Sequence, residues 1–196
     1  MRKFEVCKGF ENAGVNLPKR STALSAGYDV EAVADMVIPS IWKVFINSIK
    51  IVQEETVAKL GLSRDAVFYE ESDYIVKPAH LAFKDGIPEI SKGTLVPTGI
   101  KAFCKPLEYV SLVSRSSNFN KKGLVLANSY GVGDADYPNN PENDGHLMFN
   151  FINFGFEDVL IEKGERIGQI LFMEHNVTDD DRADGLRIGG FGSTGN

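Results

Sequence analysis

Apolar residues in this chain come in short bursts, each stopped by Gly, Pro, Asn or Asp. The clearest bursts are Tyr109 to Val113, Leu124 to Leu126, Leu147 to Phe154, Val159 to Ile161 and Ile167 to Phe172. An amphipathic helix needs its apolar period sustained over about 11 residues or more, whereas a half-buried strand is complete after about five. The chain is therefore predicted to be all-β, with strands spaced as in a sandwich or barrel. Its 19 glycines fall beside these runs rather than inside long periodic segments. In His146 to Phe154, Leu147, Phe149, Phe151 and Asn153 share one face of a strand. The run is apolar on both faces for part of its length, so a strand buried between two layers is expected.

One stretch breaks the pattern. From Pro39 to Gly86, Trp42, Phe45, Ile46 and Ile49 follow the i, i+3, i+4, i+7 spacing of a helix face, with Ser40 placed as its cap. Gln53 to Leu60 is rich in helix formers and precedes Gly61, a C-terminal stop. The expected organisation is a β domain made of residues 1–38 and 87–184, an insertion at 39–86 with helical segments, and a mobile arm at 185–196. The insertion is open to two readings, packed decoration or a subdomain that binds a protein partner or covers substrate.

Lys and Arg number 21 against 27 Asp and Glu, giving a net charge of −6 and a pI near 5.1. A polymeric nucleic acid is thereby disfavoured, since backbone binding needs a basic excess, but a small anion needs only a few local cations. Two cysteines, Cys7 and Cys104, make no disulfide framework, and no export signal or run of about 20 apolar residues is present. A cytoplasmic protein with free thiols and no membrane contact is expected. Cys104 reads as a buried thiol, and nothing supports a cysteine nucleophile. His80, His146 and His175 lack zinc-ligand spacing.

Two polar segments and the tail carry chemistry. Arg115, flanked by Ser114, Ser116 and Ser117, offers a forked cation and hydroxyls suited to phosphate oxygens, though a polar turn after a strand has the same composition. Asp134 and Asp136 alternate around Ala135, so an extended segment would point both to one side with Tyr137 opposite. Such carboxylates can organise Mg²⁺, orient a water, or satisfy turn amides. Five of the last twelve residues are glycine, yet Arg187 and Phe191 stand among them, and Asp179, Asp180 and Asp181 precede them. A cation, a flat ring and close-approaching backbone suit a lid that orders over a nucleotide.

Five segments in order strengthen this: Ala26-Gly27-Tyr28-Asp29, Ser114-Arg115-Ser116-Ser117, Gly131 to Tyr137, Gly164-Glu165-Arg166-Ile167-Gly168-Gln169, and Arg187 to Gly195. Together they resemble the homotrimeric deoxyuridine triphosphatases (dUTPases), over all the chain except residues 39–86. The resemblance implies a jelly-roll-like β-barrel, a C3 trimer with sites at subunit interfaces, and the arm of one chain closing a site formed by the others. It implies Mg²⁺-dependent hydrolysis of dUTP to dUMP and pyrophosphate, limiting dUTP and supplying dUMP for thymidylate synthesis. Asp134 would activate the water that attacks the α-phosphorus, and Tyr137 would pack under the deoxyribose. Asn128 and Gly131 would meet the uracil, and Arg115, Ser116, Ser117 and Gln169 the phosphates. Asp29 would reach a metal, held mainly by substrate phosphates, through water. Arg187 would meet the terminal phosphate, with Phe191 over the base and Gly192 and Ser193 beside the phosphates. Glu165 and Arg166 would be structural, at subunit contacts.

Three departures from that family's pattern stand out. Gly133 replaces an aliphatic residue, which predicts a less firmly anchored Asp134 turn. A longer loop, Pro138 to Gly145, replaces a tight Arg-Gly hairpin and resembles forms in Gram-positive bacteria and their phages. Arg187 lies four residues before Phe191 rather than five, with Arg182 as a substitute. Two alternatives are a dCTP deaminase of the same fold and a phage-type regulatory protein-binding module.

Overall fold

The computed structural model describes residues 1–43, 83–84, 87–88 and 93–190. Its largest sheet is antiparallel, in the order β10 (Gly131–Asp134), β8 (Glu108–Ser114), β13 (Arg166–Glu174) and β2 (Tyr28–Glu31). A second antiparallel sheet runs β6 (Thr94–Pro97), β11 (Met148–Asn153), β9 (Leu124–Leu126). Three pairs complete the described strands: β1 (Lys3–Val6) with β7 (Ile100–Phe103), β3 (Met36–Ile38) with β12 (Val159–Ile161), and β4 (Phe83–Lys84) with β5 (Ile87–Pro88).

All five apolar bursts became strands or parts of strands. Val110 and Leu112 of β8, Ile167 and Ile170 of β13, and Phe149 and Phe151 of β11 join one buried cluster, so the two larger sheets share a core. Phe149 and Phe151 stack with ring centroids 6.1 Å apart. Burying six such side chains contributes roughly 1.5–3 kcal/mol each before chain entropy is counted. The expectation that β11 is buried on both faces is corrected here. Phe149, Phe151 and Asn153 are buried, while Met148, Asn150 and Ile152 alternate with them as half-buried residues. Among the described residues, no layer covers the second face fully.

A helix, Ser116–Lys122, follows β8 directly and was not legible in the sequence. Its seven residues hold one large apolar side chain, Phe119, too few to show a period. Gly123 ends it at φ 66°, a left-handed conformation in which its N–H donates to the carbonyls of Asn118 and Phe119. Buried Asn118 fixes it by donating to Ser114 Oγ at 3.0 Å and to the Ile167 carbonyl at 2.7 Å.

The start of the 39–86 stretch is tied to the β body. Fully buried Ser40 donates through its N–H to Asp158 Oδ1 at 2.9 Å and through Oγ to the Gly155 carbonyl at 2.6 Å. Its Oγ accepts the Trp42 N–H at 3.3 Å, as expected of a cap, and the Trp42 indole donates to the Phe154 carbonyl at 2.9 Å. Phe45, Ile46, Ile49 and the helical stretch predicted from Gln53 to Leu60 lie outside the described residues. No helix among the described residues is long and apolar enough to cross a membrane.

Candidate active site

Strand pairing gathers the first polar cluster. Asp29 of β2 lies opposite Gln169 of β13, which lies opposite Val113 of β8, one residue before Ser114 and two before Arg115. Gln169 Nε2 donates to Asp29 Oδ1 at 3.0 Å, Ser21 Oγ to Oδ2 at 2.6 Å and Arg166 Nη1 to Oδ2 at 3.2 Å. Arg115 Nε stands 3.9 Å from Asp29 Oδ1, and its Nη1 donates to the Arg166 carbonyl at 3.0 Å. Burial of Asp29 opposes its charge, but hydrogen bonds from Ser21, Gln169 and Arg166, with the charge of Arg115, outweigh it and hold the carboxyl below its ordinary range. Ser116 and Ser117 open the helix after Arg115, a local structure that neither the phosphate-site reading nor the polar-turn reading of the sequence included. Within the chain Arg166 joins this cluster, and Glu165 pairs with Lys122 Nζ at 2.6 Å. Ser21 was not foreseen, and a lone serine in Arg-Ser-Thr gives no signal for it.

A second feature lies between the sheets. Asn128 and Gly131 line a groove of about 410 Å³ with Leu95, Leu112, Leu126 and Met148. The walls are mostly apolar with a few amide groups, which suits a flat, polar-edged ring. Asn128 sits in the turn joining β9 to β10, where Ser129 adopts φ 63° and its N–H donates to the Leu126 carbonyl at 3.2 Å.

Asp134 ends β10, and here the extended-segment expectation is corrected. The Tyr137 N–H donates to the Asp134 carbonyl at 3.1 Å, so Asp134 to Tyr137 form a turn rather than an alternating strand. Both carboxylates nevertheless face one cation: Arg187 Nε donates to Asp136 Oδ1 at 2.7 Å, and Arg187 Nη2 pairs with Asp134 Oδ2. Tyr137 joins the core, its hydroxyl donating to the His146 carbonyl at 3.1 Å. Burial raises the Tyr137 pKa, with the Asn143 hydrogen bond opposing.

Gly133 does not leave this turn loose. A Cβ there would stand 2.6 Å from Val110 Cγ2 and 3.3 Å from Leu147 Cδ2, so neighbouring side chains fill the space of an aliphatic residue.

The arm lies on its own chain's turn. The Arg187 guanidinium stands 5.8 Å from the Tyr137 ring centroid, and the Gly190 N–H donates to Glu142 Oε2 at 3.1 Å. The Gly190 α-carbon abuts the Tyr137 ring, where an added Cβ would come within 2.6 Å of Cε2. Arg182 donates to the Asp181 carbonyl next to it, at 2.6 Å, whereas Arg187 reaches the carboxylates. Phe191, Gly192 and Ser193 lie outside the described residues.

The two clusters occupy opposite ends of the large sheet. Asp134 pairs with Tyr109, and Gln169 pairs with Val113 four residues further along β8, a separation of about 13 Å along the strand. Cys7 is buried and its thiol is pushed up to about 12 by burial and Asp144, while half-buried Cys104 has its thiol raised by burial and Glu108, so neither is an activated nucleophile.

This fold and these clusters define an all-β, jelly-roll-like protein equipped to handle nucleoside phosphates. The family model described as dUTPase matches residues 81–195. Deoxyuridine 5'-triphosphate nucleotidohydrolase of Lactococcus lactis subsp. lactis is 41% identical over 197 residues, covering 100% of this chain and 98% of that protein. The chain belongs to the dUTPase family. Among solved structures, dUTPase from Streptococcus mutans matches with a TM-score of 0.61 and 31% identity, covering 90% of this chain and 98% of that one. The dUTPase from phage phi11 of S. aureus, whose structure bears on coordination of a structural Mg(II) ion, shares the fold at a TM-score of 0.55 and 12% identity, covering 95% and 98% of the two chains.

Proposed function

We propose that this protein hydrolyses dUTP to dUMP and pyrophosphate, with Asp134 as the base that activates the attacking water. The observation that carries the reading is strand β10, which begins at the groove lined by Asn128 and Gly131 and ends at Asp134. A nucleobase held in that groove leaves its sugar and first phosphate to run toward Asp134. Water attacks the α-phosphorus, its proton passes to the Asp134 carboxylate, and the bond from that phosphorus to the bridging oxygen breaks to release pyrophosphate. No covalent enzyme intermediate is formed, so the rate rests on positioning and charge neutralisation.

Arg115, Ser116, Ser117 and Gln169 are assigned to the phosphates, and Tyr137 to the face of the deoxyribose. Arg187 now neutralises Asp134. On this reading the terminal phosphates draw it away, which frees the carboxylate to accept a proton, while Phe191, Gly192 and Ser193 close over base and phosphates. Among the described residues, no three His, Cys, Asp or Glu side chains gather to hold a metal ion. On this reading Mg²⁺ would be held mainly by the substrate's phosphates, with Asp29 reaching it through water. Bound there, it would offset charge developing on the phosphate oxygens. Residues 39–86 are assigned to an insertion in a β domain of 1–38 and 87–184, with 185–196 as the arm.

The separation of the two clusters supports a shared site. The water held by Asp134 must reach a phosphorus adjacent to the phosphates bound by Arg115 and Gln169, and about 13 Å of strand within one chain is long for that. Complementary ends of neighbouring copies in a C3 trimer meet the requirement. Pyrophosphate release from dUTP, with dCTP and UTP turned over far more slowly, is the expected result. Deamination of dCTP, or no release from any nucleotide, would reject the reading.

A further inference from the structure

Resting on the placement of Tyr137 under the deoxyribose, we propose that Asn143 is the positioning residue that sets discrimination against ribonucleotides. Tyr137 can exclude a 2′-hydroxyl only if its ring is held to within a fraction of the size of one oxygen atom. Dispersion contacts in the core are undirected and constrain the ring's plane better than its position within that plane. Directed hydrogen bonds are required, and the Pro138 to Gly145 loop supplies them.

Asn143 Nδ2 donates to the Tyr137 hydroxyl at 2.9 Å. That hydroxyl spends its own proton on the His146 carbonyl at 3.1 Å, so its tip is pinned from two sides. The Asn143 amide is itself oriented: its Oδ1 accepts from Asn140 Nδ2 at 2.8 Å and from the Gly145 N–H at 3.0 Å. With Oδ1 accepting twice, Nδ2 must point at the tyrosine, which fixes which way the amide lies. Buried Asn140 also donates to the Tyr137 carbonyl at 2.8 Å and accepts the Asn143 N–H at 3.1 Å. Two asparagines thus hold both the backbone and the tip of one tyrosine. The loop is anchored in turn by buried Lys101, whose Nζ donates to Asn139 Oδ1 at 2.6 Å and to Asp144 Oδ2 at 2.8 Å.

The test is a double-mutant cycle read as the ratio of kcat/KM for dUTP to that for UTP. Asn143→Ala breaks one of the two bonds at the Tyr137 hydroxyl and Tyr137→Phe breaks both, so Asn143→Ala is expected to lower this ratio by about tenfold, Tyr137→Phe by at least as much, and the double variant no further than Tyr137→Phe. The dUTP-to-dCTP ratio of Asn143→Ala is expected to stay within about threefold of wild type, because Asn128 and Gly131 sit elsewhere. A purely structural role for Asn143 would lower activity on all three nucleotides together and persist additively in the Tyr137→Phe background, and either result overturns the proposal. Should Asn143→Ala fail to fold, Asn143→Leu keeps roughly the size while its side chain can neither donate to nor accept from the tyrosine, and it is expected to lose the same selectivity. An unchanged ratio in that folded variant overturns the proposal. If Tyr137→Ala also leaves the dUTP-to-UTP ratio unchanged, the underlying placement of the tyrosine has failed. If Tyr137→Ala changes the ratio and the Asn143 variants do not, only the role given to Asn143 has failed.

Discussion

Acid should weaken this protein through one histidine, and the size of the effect follows from its surroundings. His146 is buried beside the Phe10 ring, centroid to centroid 4.7 Å, and burial lowers its pKa to about 4. Its Nε2 accepts the N–H groups of Thr98 at 3.2 Å and Gly99 at 2.9 Å, so its proton resides on Nδ1. Adding a second proton would set an N–H against two N–H donors. In the unfolded chain the imidazole protonates near its usual value of about 6.5, so between the two values the unfolded state binds the extra proton and the folded state does not. The contribution is fully present above about 6.5, falls as pH drops through the window and is lost near 4, a difference of about 3 kcal/mol per chain. Asp29 and Asp144, whose pKa values are lowered, lose their contributions mainly below this window, as pH falls from the unfolded carboxyl value of about 3.9. Urea unfolding at fixed protein concentration between pH 7 and pH 4.5 would read the effect for wild type and His146→Gln, which cannot titrate. The wild type should lose stability more steeply than the variant over that range. Parallel pH profiles would refute the reasoning. Because the Tyr137 hydroxyl bonds to the His146 carbonyl, the site should loosen with it.

Three further outcomes are expected. Asp134→Asn should keep dUTP binding and lower kcat by ~10²–10⁴, since the amide is a poor proton acceptor, and kcat within a few-fold of wild type would reject the role. Gly133→Ala should cost about 1–3 kcal/mol in urea unfolding because its methyl meets Val110, and Val110→Ala should recover part of the loss; an unaltered midpoint would contradict this packing. Truncation after Gly185 should leave the nucleotide-free melting temperature nearly unchanged, because Leu186 is 93% and Ile188 63% exposed, while most turnover disappears; a collapsed melting temperature would show that the arm is part of the folded body.

What the sequence made legible was set by the range of the interactions involved. Strand runs such as Tyr109 to Val113 and Ile167 to Phe172 declare themselves because alternation and Gly or Pro punctuation are local signals. The helix Ser116–Lys122 did not, since its hold comes from Asn118 reaching Ile167, 49 residues away. Asp134 and Asp136 were rightly expected to share a side, but for the wrong geometric reason: a turn closed by the Tyr137 N–H brings them to Arg187. The Gly-Glu-Arg triplet gave no sign that Arg166 pairs with Asp29, 137 residues away. Asn140 and Asn143 were visible only as loop composition, because an asparagine's partner is fixed by tertiary placement and not by neighbouring residues. Gly133 looked like a weakness in sequence because the side chains that fill its space, Val110 and Leu147, come from other parts of the chain.

The central claim is that dUTP is hydrolysed at sites completed by complementary ends of different copies. Asp134→Asn and Arg115→Ala chains, each nearly inactive alone, can be unfolded, mixed in equal amounts and refolded together, with pyrophosphate release from dUTP as the readout. Shared sites require that some pair an intact Asp134 from one chain with an intact Arg115 from another, and random mixing yields about one quarter of wild-type activity. No recovery in a refolded mixture whose oligomers are intact would contradict the account, because it would mean that each chain carries its whole site within itself.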